Sequence, residues 1–147
     1  MNETEIAVDS RPRCIELYGG VGTMVLHIAD LCQSFISSDE NPHNVACFEA
    51  SAKILHEQLK KKDQKFPRTI EYRPKSVTDM IGELKNVDLV IVDPPRKGLE
   101  IVVTKVLNAC TAQYLIYVSF GLDAFQRDYR LLLSHSELER AEGHVLF

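Results

Sequence analysis

From Cys14 onward, apolar stretches of strand length alternate with segments whose apolar residues recur at helical spacing. This alternation is typical of βαβ units that build a parallel sheet. Residues 87–92 read VDLVIV and predict a central strand that is covered on both faces. The pattern therefore predicts one α/β domain with a mainly parallel sheet.

The individual elements follow from the same periodicities. The predicted strands are residues 14–18, 44–49, 69–73, 87–92, 114–118 and 139–147, and the predicted helices are residues 24–35, 51–62, 78–84, 100–109 and 122–134. Pro94 and Pro95 must end the fourth strand, because proline lacks the amide hydrogen that a sheet requires. Residues 1–12 are predicted to form a tail and residues 13–147 the domain.

Length and composition narrow the class of protein. A chain of 147 residues, 45% hydrophobic and 26% charged, fits one ordinary globular domain. No apolar stretch approaches the roughly 20 residues of a membrane-spanning helix, and the polar first ten residues show no targeting signal. We expect an intracellular protein, in the cytoplasm, without membrane attachment.

Cysteines and charges indicate no metal site. The four cysteines lie far apart without a C-x-x-C pair, so buried, reduced thiols are expected and no metal ligands are predicted. The net charge of −4 argues against a protein that coats nucleic acid by charge. Eight of the 17 basic residues nevertheless lie between Lys53 and Lys75, which fits either a solvated helix end or a phosphate-contacting patch.

The loop after the first strand is rich in glycine. In open parallel sheets, ligands bind at the carboxyl ends of the strands, and residues 16–23 there read ELYGGVGT. Glycines let the backbone approach a ligand closely and then begin a helix. The same residues also suit a tight turn without a ligand. A dinucleotide fingerprint is excluded, because Val25 stands where its third glycine would be.

Two further strand ends carry charged residues. Glu49 is predicted to end the second strand, where a carboxylate can accept hydrogen bonds from ribose hydroxyls. Asp93 follows the fourth strand, and Arg96 follows the two prolines with a guanidinium that can bind phosphate or carboxylate. Together with the glycine loop, these residues predict a nucleoside-binding site.

At this point the chain resembles the S-adenosylmethionine-dependent methyltransferase domain of the RNA uracil-5-methyltransferases. The resemblance covers residues 13–147 and rests on ELYGGVGT, on VIVDPPRKGL, and on LIYVS followed by FQRD at residues 125–128. It implies a Rossmann-like class I methyltransferase fold, S-adenosyl-L-methionine as the cofactor, and a uridine of tRNA or rRNA as the substrate.

The resemblance also implies roles for single residues. Gly20 and Gly22 would lie beneath the methionine end of the cofactor, with Tyr18 beside them, and Glu49 would bind its ribose. Asp93 would contact the cofactor at the methyl-transfer centre, and Arg96 would shape the pocket of the target base. Near the adenine, Ser76 stands at about the position of the family's acidic residue, with Asp79 a turn later.

The chain departs from the family at the catalytic nucleophile. Uracil C5 is a poor nucleophile, so the family adds a cysteine thiolate to C6 before methyl transfer, and a base then removes the C5 proton. The cysteine would follow Tyr117-Val118-Ser119, where this chain has Phe120. Ser119 is no ready substitute, because an unactivated hydroxyl is far less ionised than a thiol. Catalysis by this chain is therefore in question.

The family's base and the last strand of its usual seven would both follow Phe147. We therefore expect an incomplete domain, either a fragment or a homo-oligomer that covers the free edge of the fifth strand. Two alternative functions stay open. The Asp-Pro-Pro turn could orient an amine nitrogen for methylation, or the chain could be a noncatalytic module that binds cofactor or RNA, which Phe120 favours.

Overall fold

The computed structural model describes residues 9–134, which form an α/β domain around a sheet of five parallel strands in the order β3-β2-β1-β4-β5. The strands are β1 (Arg13–Leu17), β2 (Ser34–Ser38), β3 (Thr69–Arg73), β4 (Leu89–Val92) and β5 (Tyr114–Tyr117). The α-helices are α1 (Thr23–His27), α2 (Asn44–Lys61), α3 (Ile101–Ala109) and α4 (Leu122–Ser134), with 3₁₀ segments at Ala29–Leu31 and Thr78–Asn86. The predicted fold class is confirmed.

The central strand, β1, sends side chains to both faces of the sheet, because successive residues of a strand point in opposite directions. Ile15 and Leu17 pack in a cluster with residues of α3 and α4, while Cys14 packs on the other face with residues of α1 and α2. β1 pairs with β2 on one side and with β4 on the other. Both faces are thus covered, as the apolar strands predicted.

Two predicted elements are wrong. The predicted helix 24–35 ends early: α1 stops at His27 and the chain enters β2 at Ser34, while the predicted strand 44–49 forms the start of α2. Phe35 and Ser37 are both buried on β2. Because one of these two inward-facing residues is a serine, β2 lacks the alternation of apolar and polar residues by which a strand is predicted. Conversely, Leu31 fits a helical stripe by spacing and is 62% exposed.

The predicted helix 51–62 forms only the later part of α2, and the predicted helix 78–84 is a 3₁₀ segment; the other predicted elements within the described part hold to within about two residues. The third strand matches exactly its predicted bounds, and β4 is shortened because residues 87–88 precede the sheet. The predicted strand 139–147 and most of the predicted tail lie outside the described residues. β5 is an edge of the described sheet, with Tyr114 and Ile116 exposed. Homo-oligomer formation through this edge stays a prediction.

Other predicted features can be located in the fold. The cysteines are all free, with Cys14 and Cys32 buried as predicted but Cys47 exposed. Within residues 9–134, no helix is long and apolar enough to span a bilayer, and no three potential ligand side chains cluster as a metal site. The lysines at the end of α2 lie at the amino-terminal edge of the sheet, because α2 starts after the carboxyl end of β2 and leads back to β3.

Candidate functional site

The loops at the carboxyl ends of the strands are joined by backbone hydrogen bonds. These bonds link each strand end to that of its neighbour: Gly19 N to Ser38 O (2.8 Å), Asp39 N to Arg73 O (3.4 Å), Asp93 N to Leu17 O (3.2 Å) and Val118 N to Val92 O (2.9 Å). The glycine loop after β1 therefore lies between the loops that follow β2 and β4. The predicted convergence of loops at this edge is present.

The glycine loop has the backbone conformation that glycine permits. Gly20 and Gly22 have φ angles of +55° and +79°, in the left-handed region where other residues are strained. A Cβ on Gly22 would lie 2.5 Å from the ring of Phe48, whereas a Cβ on Gly20 would meet nothing within 4 Å. Gly22 is thus required for packing, and Gly20 faces open space above the sheet.

Two further predicted site residues lie at the same edge of the sheet. Tyr18 is half-buried directly after β1, and burial raises the pKa of its hydroxyl to about 12. Asp93 is half-buried directly after β4, and burial raises the pKa of its carboxyl. The structure therefore places Tyr18, Gly20, Gly22 and Asp93 in adjoining loops at one edge of the sheet, and their roles in binding stay predictions.

Beneath the loop lies a buried carboxyl group that sequence reasoning did not single out. Glu16 is fully buried on β1; its Oε1 accepts a hydrogen bond from Val25 N (3.3 Å) and its Oε2 accepts one from Ser37 Oγ (2.6 Å). These bonds tie β1 to α1 and to β2. Burial raises the pKa of Glu16 to about 7, and the hydrogen bonds only partly offset that effect.

Glu16→Gln should flatten the pH dependence of stability. Between the ordinary pKa of about 4.5 and the folded value of about 7, the folded state holds more protons than the unfolded state. The wild-type free energy of unfolding should therefore fall as pH rises from 5 to 8.5, by about 3 kcal/mol from this group. Urea unfolding at both pH values should show this loss in the wild type and not in Glu16→Gln. Equal losses in both proteins would contradict the assignment.

The carboxylate that meets the glycine loop is Asp39, not Glu49. Asp39 follows β2 directly and is half-buried; its Oδ2 accepts a hydrogen bond from Gly20 N (3.2 Å), and its Oδ1 accepts one from Asn41 N (3.0 Å). Glu49 is exposed on α2 and lines, with Phe48 and Tyr72, a groove of about 520 Å³ between α2 and β3. The prediction that Glu49 ends the second strand is wrong, because residues 44–49 belong to helix α2.

The loop after β4 is a tight turn that exposes its basic residues. Gly98 N donates to Pro95 O (2.8 Å), which closes the turn, and Gly98 has a φ of +82°. Arg96 is exposed, and within residues 9–134 its side chain forms no hydrogen bond or ion pair. The predicted substrate-binding residue is thus free to bind a ligand.

A second buried carboxylate, on α4, holds this turn in place. Asp128 is fully buried; its Oδ2 accepts hydrogen bonds from Leu99 N (2.7 Å) and from Tyr117 Oη (2.6 Å). Its Oδ1 accepts from Arg127, whose Nη2 also donates to Lys97 O (3.0 Å). The FQRD segment therefore anchors the loop after β4. Arg127 and Asp128 belong to the FQRD segment on which the family resemblance partly rests, and this is the sequence feature that pointed to them.

The position of the missing nucleophile lies next to the same turn. Phe120 is 80% exposed, and Ser119 Oγ is engaged with Gly121, accepting from its N (3.1 Å). A Cβ on Gly121 would lie 2.9 Å from Arg96 O, so the turn after β5 rests against the turn after β4.

Near the expected adenine position, Ser76 Oγ donates to Asp79 Oδ2 (2.9 Å).

The chain is similar in sequence to known RNA methyltransferases. No protein-family model matches it. The chain is 33% identical over 141 residues to an uncharacterized RNA methyltransferase of Protochlamydia amoebophila, an alignment that covers 95% of this chain and 35% of the relative. It is 31% identical over 136 residues to the 23S rRNA (uracil(747)-C(5))-methyltransferase of Glaesserella parasuis, over 90% of this chain and 33% of the relative.

A solved structure agrees. The tRNA (uracil-54, C5)-methyltransferase of Pyrococcus abyssi, in complex with S-adenosyl-L-homocysteine, superposes with a TM-score of 0.62 at 26% identity, over 85% of this chain and 28% of that protein. The chain is homologous to the RNA uracil-5-methyltransferases. The predicted resemblance to this family and the Rossmann-like class I methyltransferase fold are confirmed. The chain spans only 24% to 35% of the length of the curated relatives it matches.

Proposed function

We propose that this chain is the S-adenosylmethionine-binding domain of an RNA uracil-5-methyltransferase, with a uridine of tRNA or rRNA as its target. The observation that carries the proposal is the meeting of the glycine loop, Asp39 and Asp93 at the carboxyl edge, with Gly20 facing open space. In parallel sheets this is the edge where ligands bind. The homologues named as RNA methyltransferases support the same substrate class.

The residues present suit the chemistry of this cofactor. Asp39 would accept hydrogen bonds from the ribose hydroxyls, a role that moves from Glu49 with the correction of β2. Gly20 and Gly22 would lie beneath the methionine end, with Tyr18 beside them; the missing side chain of Gly20 leaves that space open, while Gly22 makes room for the ring of Phe48. When bound, the cofactor supplies an electrophilic methyl group on a sulfonium. Asp93 would lie at the transfer centre, and Arg96 would bind at the target base.

Asp39→Ala should weaken binding of S-adenosylmethionine and S-adenosylhomocysteine by about 10- to 100-fold. A hydrogen bond to a charged acceptor contributes about 1.5 to 3 kcal/mol, so the loss of one such bond from a ribose hydroxyl gives a change of this size. Isothermal titration calorimetry of both ligands measures the change. The matched control is Glu49→Ala, which removes a carboxylate that is exposed on α2 and should leave the dissociation constants unchanged. The opposite ranking of the two variants would refute the Asp39 assignment.

A noncatalytic binding module is the second candidate, and Phe120 favours it. A phenyl ring stands where the family has its thiolate, and the neighbouring Ser119 hydroxyl is hydrogen-bonded within its own turn. A single-turnover assay with labelled S-adenosylmethionine and uridine-containing RNA separates the candidates. Cofactor binding without methyl transfer would support the module, and label at uracil C5 would refute it.

A further inference from the structure

Phe120 is a conspicuously exposed aromatic side chain at the carboxyl edge of the sheet. It is 80% exposed, more than any other large hydrophobic residue within the described part of the chain. Burying such a side chain is worth about 1.5 to 3 kcal/mol, so leaving it in water forgoes that stabilisation. Within residues 9–134, the ring therefore contributes little to packing.

The turn that carries Phe120 is well fixed. Val118 N donates to Val92 O (2.9 Å), and Ser119 Oγ closes the turn through Gly121 N. Gly121 lies against the backbone of Arg96 so closely that a Cβ would be 2.9 Å from its carbonyl oxygen. The ring is therefore held beside the turn that carries Arg96, rather than on a loose loop.

Basic side chains are carried by the two elements that adjoin Phe120, the turn after β4 and helix α4. Arg96 is exposed, and its side chain is unpaired among residues 9–134. A groove of about 390 Å³ runs along α4, which begins two residues after Phe120, and is lined by Asp123, Gln126, Arg127, Arg130 and Leu131. Of its two arginines, Arg127 is already paired with Asp128, so Arg130 is the arginine offered to a phosphate. An aromatic face next to arginines is the chemistry that binds unpaired bases and their phosphates.

We infer that Phe120 is a stacking platform for an unpaired RNA base, whose neighbouring phosphates bind Arg96 and the α4 groove. This inference rests on the proposed function for the class of ligand. Phe120 would then have a role in binding, at the position where the family has its catalytic cysteine. A base that stacks here would lie at the same sheet edge as Asp93.

The chain contains no tryptophan, so Phe120→Trp places a single fluorophore at the proposed platform. Stacking of a base quenches indole fluorescence. Decauridylate should therefore quench Phe120→Trp by at least half at saturation, while inorganic polyphosphate, which has charge but no bases, should not. The control is Tyr114→Trp, because Tyr114 is 65% exposed at the opposite end of β5. Equal quenching of both variants, or none in Phe120→Trp, would overturn the inference.

Affinity provides the second measurement. Phe120→Ala should weaken decauridylate binding about tenfold or more, as expected for the loss of one stacked base. Leu122→Ala removes a nearby aliphatic side chain that is 62% exposed and should change the affinity less than twofold. Unchanged affinity in Phe120→Ala would overturn the inference. Calorimetry with S-adenosylhomocysteine on the same samples keeps the tests separate, since its failure in the wild type would count against the proposed function alone.

Discussion

Asp128→Ala should lower the free energy of unfolding by about 4 kcal/mol. The substitution removes the acceptor of Leu99 N, which is buried, and that of Tyr117 Oη, which is half-buried; an unsatisfied buried donor costs about 1 to 3 kcal/mol. The pair with Arg127 adds at most about 1 kcal/mol, because the arginine side chain is 53% exposed. Urea unfolding followed by circular dichroism measures the loss.

The control is Asp123→Ala, which removes an exposed carboxylate from the first turn of the same helix. We expect a change of about 0.5 kcal/mol or less there, as for most surface substitutions. Asp128→Ala should also release the turn that carries Asp93 and Arg96, so amide exchange at Gly98 and Leu99 should accelerate. Similar stabilities for the two alanine variants would show that Asp128 does not anchor this turn.

Strands that consist of apolar residues could be predicted from the sequence. β4 is an apolar stretch followed by two prolines, so both its burial and its end follow from residue chemistry. The position of Asp93 at the sheet edge then follows as well. The glycine loop was equally clear, because two of its residues have positive φ angles that favour glycine.

Asp39 could not be found by the same reasoning, because β2 buries hydroxyl groups. Ser37 is fully buried only because Glu16 on the neighbouring strand accepts its hydrogen bond, and Ser38 Oγ donates to Glu16 O. This pairing is a property of the folded sheet and leaves no apolar alternation in the sequence. The predicted helix 24–35 overlaps the start of β2, so the second strand is predicted further along the chain at residues 44–49, and Glu49 stands at its end in place of Asp39.

Glu16 illustrates a related limit. A glutamate within a predicted strand is expected to face solvent, because burial of a carboxyl group is costly. Glu16 can be buried because its carboxyl group accepts hydrogen bonds from Val25 N and Ser37 Oγ. The one signal in the sequence is its place directly before the glycine loop, within the motif that carried the family resemblance. Long-range partners of buried polar groups are the part of a site that local sequence patterns do not encode.

Gly22→Ala should lower the free energy of unfolding by about 4 kcal/mol. A left-handed backbone costs a residue with a Cβ about 1 to 2 kcal/mol, and Gly22 has a φ of +79°. The new methyl group would also lie 2.5 Å from the ring of Phe48, which is buried and packs at a centroid distance of 5.2 Å from Tyr72. Displacing a packed ring in this way adds about 1 to 3 kcal/mol. Thermal or urea unfolding tests the sum.

The two causes can be separated by a double-mutant cycle. In a Phe48→Ala background the ring is absent, so Gly22→Ala should cost only the backbone strain, about 1 to 2 kcal/mol. Gly82→Ala serves as the matched control, since a Cβ there meets nothing within 4 Å and its φ is not positive. It should be neutral or slightly stabilising. If Gly22→Ala costs as much without the ring as with it, the close approach to Phe48 does not explain why this loop needs glycine.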